Sequence, residues 1–330
     1  MLEVIRAIEA TQEILDHTNK IKDQTGLTIP VYASHPIVHH DPISNEFASR
    51  GLIVEPNWER VEPGSIYLLS AHGTQPSVVE KLRESGVEVV NLECQLVYGD
   101  RKRAEGTLRK GRDLVYFGRP GHPEVIAVTK DLDQDRVHVI DSAFGPDQFN
   151  LPGSPFDILS QTTISRDRVK TNVLKWGEIN GIEVPVFEKG PCEATDLRQN
   201  ALTEMFSTGR PLDLIITVMS GASHNGGELV KMGEEYYERS GREITRSIGV
   251  DSFDKLETSL FTEDIQTVGI TSAASVLDRF TVPFLQWFKK GGAAIRMDDR
   301  GPAEDYGAFP PPKDLARIHQ ILEHTYGIEA

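Results

Sequence analysis

The chain has 330 residues, which predicts two or three domains with a full hydrophobic core. Hydrophobic residues make up 38% and charged residues 26%, a balance that excludes a disordered or membrane-embedded chain and reads as soluble and globular. Its 35 basic and 50 acidic residues leave a net charge of −15, which argues against nucleic acid and anionic membrane surfaces as partners, because both are held by neutralising phosphates.

The predicted elements alternate. Helical periodicity opens the chain at Val4–Asn19. Short apolar strands are expected at Leu27–Tyr32 and Ser65–Leu69, then a helix at Ser77–Ser85, then a strand at Val87–Asn91. Four further strands are expected at Leu114–Phe117, Val125–Val128, Val137–Ile140 and Leu212–Met219. Helices are expected at Thr195–Phe206 and Glu228–Glu238. A strand at Val268–Ile270 then precedes helices at Ser275–Lys289 and Lys313–Tyr326. Strands alternating with helices predict α/β units with parallel sheets. The longest apolar run, Leu214–Met219, has strand length and falls far short of the ~18 residues of a membrane span. The opening residues carry no apolar signal region, so the expected location is cytoplasmic with reduced thiols.

The polar residues that could do chemistry fall just after the apolar strands. Ser70-Ala71-His72-Gly73, Glu93-Cys94, Gly118 to Glu124, Ser220 to Gly227 and Thr271 to Ser275 all follow this rule. Open α/β sheets bind ligands outside the carboxyl ends of their strands, and helix N-termini there suit phosphate. Taken singly, each Ser or Thr reads better as an ordinary helix cap, and a lone His more often as a hydrogen-bonded structural residue than as a ligand. Together they point to an α/β enzyme with a small-molecule substrate. Cys94 and Cys192 cannot form a disulfide framework. Either they are inert buried thiols or they hold a metal or cluster. Zinc lacks its usual paired C-x-x-C spacing here.

Read in order, these loops resemble the LytB/IspH family of 4-hydroxy-3-methylbut-2-enyl diphosphate reductases. The resemblance runs from Val4-Ile5-Arg6-Ala7-Ile8 through His35-Pro36-Ile37-Val38-His39, Ser70-Ala71-His72-Gly73 and Gly121-His122-Pro123-Glu124-Val125. It continues through Ser160-Gln161-Thr162-Thr163, Cys192-Glu193-Ala194-Thr195 with Arg198-Gln199, Ser223-His224-Asn225 and Ala274-Ser275. It implies a trefoil-like arrangement of three parallel-sheet α/β domains around a central cavity, divided 1–93, 94–190 and 191–288, with a tail at 289–330 carrying a final helix.

The implied cofactor is an iron–sulfur cluster of the 4Fe-4S type with Cys94 and Cys192 among its ligands. The implied reaction is reductive dehydroxylation of an allylic diphosphate to isopentenyl and dimethylallyl diphosphate, in isoprenoid biosynthesis. A ferredoxin- or flavodoxin-like protein would donate electrons. Glu124 would supply the proton that lets water leave, helped by Thr162. His39, His72, His122, Thr163, Ser223, His224, Asn225 and Ser275 would hold the substrate. The sequence departs from the family at four places. Met1 stands where the first cluster cysteine would be, Gln95 replaces a proline, Gly99-Asp100-Arg101 replaces Lys-Val-His, and His224 replaces a serine. Glu93 and Glu193 offer oxygen donors beside the two cysteines. The alternative reading is a divergent paralogue that keeps the fold and diphosphate pocket without a competent cluster, as a non-redox enzyme or binding protein.

Overall fold

A computed structural model describes residues 2–141, 155–164, 166–181, 183–184, 192–207, 211–240, 246–296 and 311–326. Met1 and the 190/191 domain boundary lie outside the described residues. The described residues build three separate sheets, every pairing in them parallel.

The first sheet contains β1 (Val31–Ala33), β2 (Leu52–Val54), β3 (Ile66–Leu69) and β4 (Glu88–Asn91), in the order β2-β1-β3-β4. Around it pack α1 (Leu2–Thr25), α2 (Asp41–Ser49) and α3 (Pro76–Glu84). The second sheet has the order β6-β5-β7, from β5 (Asp113–Gly118), β6 (Val137–Asp141) and β7 (Phe156–Ser160). Its helices are α4 (Gln95–Arg109), α5 (Pro123–Thr129) and α6 (Arg166–Asn180). The third sheet has the order β10-β8-β9, from β8 (Leu214–Val218), β9 (Arg246–Val250) and β10 (Val268–Ser272). With it come α7 (Glu193–Ser207), α8 (His224–Ser240) and α9 (Asp278–Lys290).

Each sheet has a central strand that is apolar on both faces. In β3, Ile66 and Leu68 join the core under α1, while Tyr67 and Leu69 join the core under α3. In β5, Val115 and Phe117 pack with Trp176 of α6, while Leu114 and Tyr116 pack with Val97 and Ala104 of α4. In β8, Leu214, Ile216 and Val218 face Phe284 of α9, while Ile215 faces Leu202 and Leu229. Successive strand residues point to opposite faces, so a strand covered by helices on both sides needs an unbroken apolar run. That requirement explains why these strands were the visible ones.

The C-terminal helix α10 (Lys313–Tyr326) returns to the first unit. Leu315, Ile318 and Leu322, spaced by helical turns, enter the same core as Ala7, Ile14 and Ile21 of α1. The Asp314 carboxylate accepts from the Asn91 N–H at 3.1 Å, which fixes α10 at the end of β4.

Two expectations need correction. Val125–Val128 is not a strand but the body of α5. Pro123 stands in its first turn, and the His122 side chain caps it by accepting from the Glu124 N–H. A four-residue apolar run has no periodicity to distinguish the two states. Strands β2, β7 and β9 and helices α2, α4 and α6 had not been expected. Edge strands lack the two-sided apolar signature: in β2 only Leu52 is buried, and β9 is largely exposed or half-buried.

Candidate active site

The strand-end loops of all three sheets converge. His39 lies in the loop between β1 and α2, and His72 follows β3. His122 follows β5 as the N-cap of α5, and His224 opens α8. Their imidazoles form a continuous cluster. Ring centroids are 4.1 Å apart for His39 and His72, 5.8 Å for His39 and His122, 5.7 Å for His72 and His122, and 6.2 Å for His122 and His224.

These rings are held neutral. Burial, reinforced by the neighbouring imidazoles His35 and His224, lowers His39 to about 4. Burial, reinforced by His39, His224 and Arg119, lowers His122 to about 3. His72 moves in the same direction for the same first cause. Nδ1 of His122 accepts from the Glu124 N–H at 3.2 Å. A neutral ring with an accepting Nδ1 carries its proton on Nε2, and that Nε2 is buried without a protein partner. His39 Nε2, His72 Nδ1 and Asn225 Nδ2 are buried and unpartnered in the same way. Orphaned buried polar atoms are costly and rare. Several in one cluster mark a place built for a polar ligand.

The hydroxyl and amide residues tie the loops together. Asn225 Oδ1 accepts from the Ala274 N–H at 3.0 Å, joining the start of α8 to the loop after β10. The Ser275 hydroxyl donates to the His39 carbonyl at 3.1 Å, joining the third unit to the first. Ser223 Oγ accepts from the Gly226 N–H at 3.1 Å, so it caps α8 while its own proton stays available to donate. Thr163 Oγ1 accepts from Gln161 Nε2 at 2.7 Å and lies 3.4 Å from Nδ1 of His224. His224, the departure from the family serine, is therefore bound into the cluster.

Glu124 sits in the first turn of α5 and is 1% exposed. Its carboxylate accepts from the Thr162 N–H at 2.7 Å and from the Thr162 hydroxyl at 2.9 Å. Tyr116 lies close beneath. Burial first, and then the Glu124 charge, push its phenol well above the usual range.

The two cysteines also approach this centre. Cys94 is the N-cap of α4, and burial raises its thiol to about 12. The N–H groups of Leu96 and Val97 donate to its sulfur, and the charges of Cys192 and Glu3 both reach it. Cys192 precedes α7. Its N–H donates to the Thr162 carbonyl at 3.0 Å, and its sulfur lies 3.1 Å from the Thr195 hydroxyl. The cysteine loop is thus fastened to the loop that holds Glu124.

Glu93 was expected to offer an oxygen donor. Instead its carboxylate is taken up by Arg101, through paired contacts of 2.6 and 2.7 Å. Arg101 also donates to the Thr74 carbonyl at 3.2 Å. Gly73 lies against Glu93 with a positive φ of 86°. A Cβ at Gly73 would stand 2.6 Å from Glu93 Oε1, so only glycine fits there. The Glu93–Arg101 pair thereby fixes the loop that carries His72. The side chain of Glu193 lies outside the described residues.

The family model described as LytB protein matches residues 3–286. The chain belongs to the LytB family. It is accordingly an oxidoreductase, of a family that works with iron–sulfur chemistry in isoprenoid biosynthesis. Among its relatives, the 4-hydroxy-3-methylbut-2-enyl diphosphate reductase of Zymomonas mobilis is 29% identical over 320 residues, covering 96% of this chain and 86% of the relative. The reductase of the same name from Streptomyces coelicolor is 30% identical over 294 residues, covering 87% of this chain and 82% of the relative. The solved structure of the E-1-hydroxy-2-methyl-but-2-enyl-4-diphosphate reductase from Plasmodium falciparum matches with a TM-score of 0.79 at 23% identity, covering 97% of this chain and 95% of that one. This match shows that the chain shares the three-unit, trefoil-like fold.

The residues present suit a cluster better than a single ion. Among the described residues, no three His, Cys, Asp or Glu side chains meet closely enough to hold one metal ion. The thiols of Cys94 and Cys192 are both partly buried and lie near enough to act on each other electrostatically. A polynuclear cluster takes one thiolate at each of several corners, so its donors stand apart. No helix among the described residues is long and apolar enough to cross a membrane.

One feature of the centre could not be read from the sequence. Arg101 showed only as a departure, and its pairing with Glu93, eight residues away, carried no signal.

Proposed function

We propose that this chain removes the hydroxyl group of 4-hydroxy-3-methylbut-2-enyl diphosphate reductively, giving isopentenyl and dimethylallyl diphosphate. The observation that carries this reading is the buried cluster of neutral imidazoles with orphaned ring nitrogens, set beside a buried carboxylate held by a threonine hydroxyl.

In this reading His39, His72 and His122 donate N–H hydrogen bonds to the diphosphate, together with the Asn225 amide and the Ser223 and Ser275 hydroxyls. Thr163, in the loop after β7 of the second unit, and His224, at the start of α8 of the third, close the pocket. Donors to an anion in a buried site are worth more than in water, so the pocket works in a chain of net charge −15. Glu124, in its protonated form, delivers its proton through the Thr162 hydroxyl to the departing oxygen. The C–O bond breaks, water leaves, and two electrons and a second proton complete the allylic product. When bound at Cys94 and Cys192, an iron–sulfur cluster supplies those electrons one at a time, from a ferredoxin- or flavodoxin-like donor. The thiol of Cys94, whose pKa burial raises, would lose its proton on binding iron. We assign the protein to the cytoplasm on the same reading.

The test is an oxygen-free assay of the reconstituted protein with dithionite-reduced methyl viologen and the allylic diphosphate. Formation of both five-carbon diphosphates supports the reading. A fully loaded protein that binds the substrate but yields neither product refutes it.

A further inference from the structure

The first and third units meet beside the histidine cluster, and the residue after His39 stands in that seam. His40 is the N-cap of α2 and is wholly buried. His122, the N-cap of α5, caps its helix by accepting from the N–H of the second helical residue. In α2 that second residue is Pro42, which has no N–H to offer. His40 makes no cap bond, and its ring turns to the third unit instead. Nε2 donates to the Asp251 carbonyl, in the loop after β9, at 3.3 Å. A carbonyl only accepts, so the ring's proton is on Nε2. The ring meets Phe280 of α9 edge to face, with centroids 4.4 Å apart. Phe280 packs against the cores of both the first and the third unit. Two further contacts cross the seam. The Ser275 hydroxyl reaches the His39 carbonyl, and Arg279 of α9 donates to Glu46 of α2 at 2.7 Å. Arg279 and Glu46 are open to solvent at 47% and 34% exposure, whereas His40 is sealed. Capping does not account for a histidine here. An apolar residue would fill the same space without burying Nδ1 unpartnered. What the imidazole adds is one directional bond between the two units.

We propose that His40 is a positioning residue, whose imidazole pins the loop carrying His39 to the third unit and so holds His39 in register with the donors of Ser223, Asn225 and Ser275. This rests on the reading that the cluster binds a diphosphate. On one side of the pin, His39 is the preceding residue. On the other, Asp251 directly follows β9, which pairs with β8 up to Val250 beside Val218, and the loop after β8 carries Ser223 and Asn225. A shift at the seam therefore moves one set of donors against the other. Hydrogen bonds weaken steeply with distance and angle, so an anion that must satisfy both sets senses that shift.

The experiment measures inorganic diphosphate affinity by calorimetry on the full chain reconstituted without oxygen. It compares wild type, His40→Phe, His40→Gln and Arg279→Ala, with urea unfolding to show that each is folded under the assay conditions. His40→Phe keeps a ring against Phe280 but cannot donate, and should weaken diphosphate about tenfold. His40→Gln brings an amide N–H close to the former place of Nε2 and should recover affinity to within about threefold of wild type. Arg279→Ala opens the exposed ion pair across the same seam and should leave affinity within about twofold. If the Phe variant does not fold, His40→Asn, whose shorter amide stops short of Asp251, takes its place with the same expected loss. Wild-type affinity in the variant that cannot donate, a loss that Gln does not restore, or an equal loss in Arg279→Ala overturns the role of His40 and leaves the diphosphate reading standing. Wild type that binds no diphosphate overturns both.

Discussion

Acid should weaken this protein through the same histidines that build its site. In the fold, His39 sits at about 4 and His122 at about 3, against an ordinary value of 6.5. The unfolded chain therefore binds protons near pH 6.5 that the folded chain refuses. The stability tied to these rings is full above pH 6.5 and is lost as pH falls towards the folded values. At pH 5 each ring costs about 2 kcal/mol, from 1.5 pH units at about 1.4 kcal/mol per unit, or about 4 kcal/mol together. That is a large share of a typical stability of about 5–15 kcal/mol. Urea unfolding of wild type and of a His39→Asn/His122→Asn double variant, at pH 8 and pH 5, isolates the effect. Wild type should lose about 4 kcal/mol more than the variant between the two pH values. Saturating inorganic diphosphate should shrink that gap, because a bound anion favours the protonated rings. An equal acid loss in both proteins would refute the reasoning, as would folded-state NMR titrations of either ring near its ordinary value.

Glu124→Gln keeps the hydrogen-bond geometry to Thr162 but removes the acid, so turnover should fall by about 10²–10⁴-fold while diphosphate binding stays within about twofold. A parallel loss of binding in calorimetry would count against the proton-donor role. Asn225→Ala removes an orphaned donor from the cluster and should weaken inorganic diphosphate by about 1–3 kcal/mol; unchanged affinity excludes a contact there. Arg101→Leu strands the buried Glu93 carboxylate, and should cost about 3–5 kcal/mol in chemical denaturation. Glu93→Leu with Arg101→Leu should recover part of that, and no recovery in the double variant would show that the loss comes from packing rather than from the stranded charge.

What the sequence disclosed follows from burial. The central strands β3, β5 and β8 are covered on both faces, so each reads as a mainly apolar run, interrupted inside β8 by the buried Thr217, and was visible at once. The partly exposed strand β2 and the polar β9 gave no such run. The site residues were legible for a related reason. A loop at a strand's carboxyl end has no core to fill, so the His, Asn, Ser and Cys residues at those positions stood out against the apolar runs before them. Their convergence was not legible, because it depends on how three sheets turn towards each other. The same limit hid Glu93, whose neighbour in the chain is Cys94 but whose partner in space is Arg101.

The neutrality of the cluster also answers why an acidic chain can bind a polyanion. A pocket lined with lysines would have to keep several cations close together in the free protein, each raising the energy of the next. Here burial first, and then the neighbouring imidazoles, lower the affinity of His39 and His122 for a proton, so these rings leave the free pocket little charge to repel itself. Its binding power resides in N–H and O–H donors already aimed inward, fixed by contacts such as Asn225 to Ala274 and Ser275 to His39. Because those donors come from loops of all three sheets, an anion that satisfies them also joins the three units. In the proposed function, binding of the substrate would then also exclude water, and the buried carboxyl group of Glu124 would act in the low-polarity surroundings that proton transfer to a poor leaving group requires.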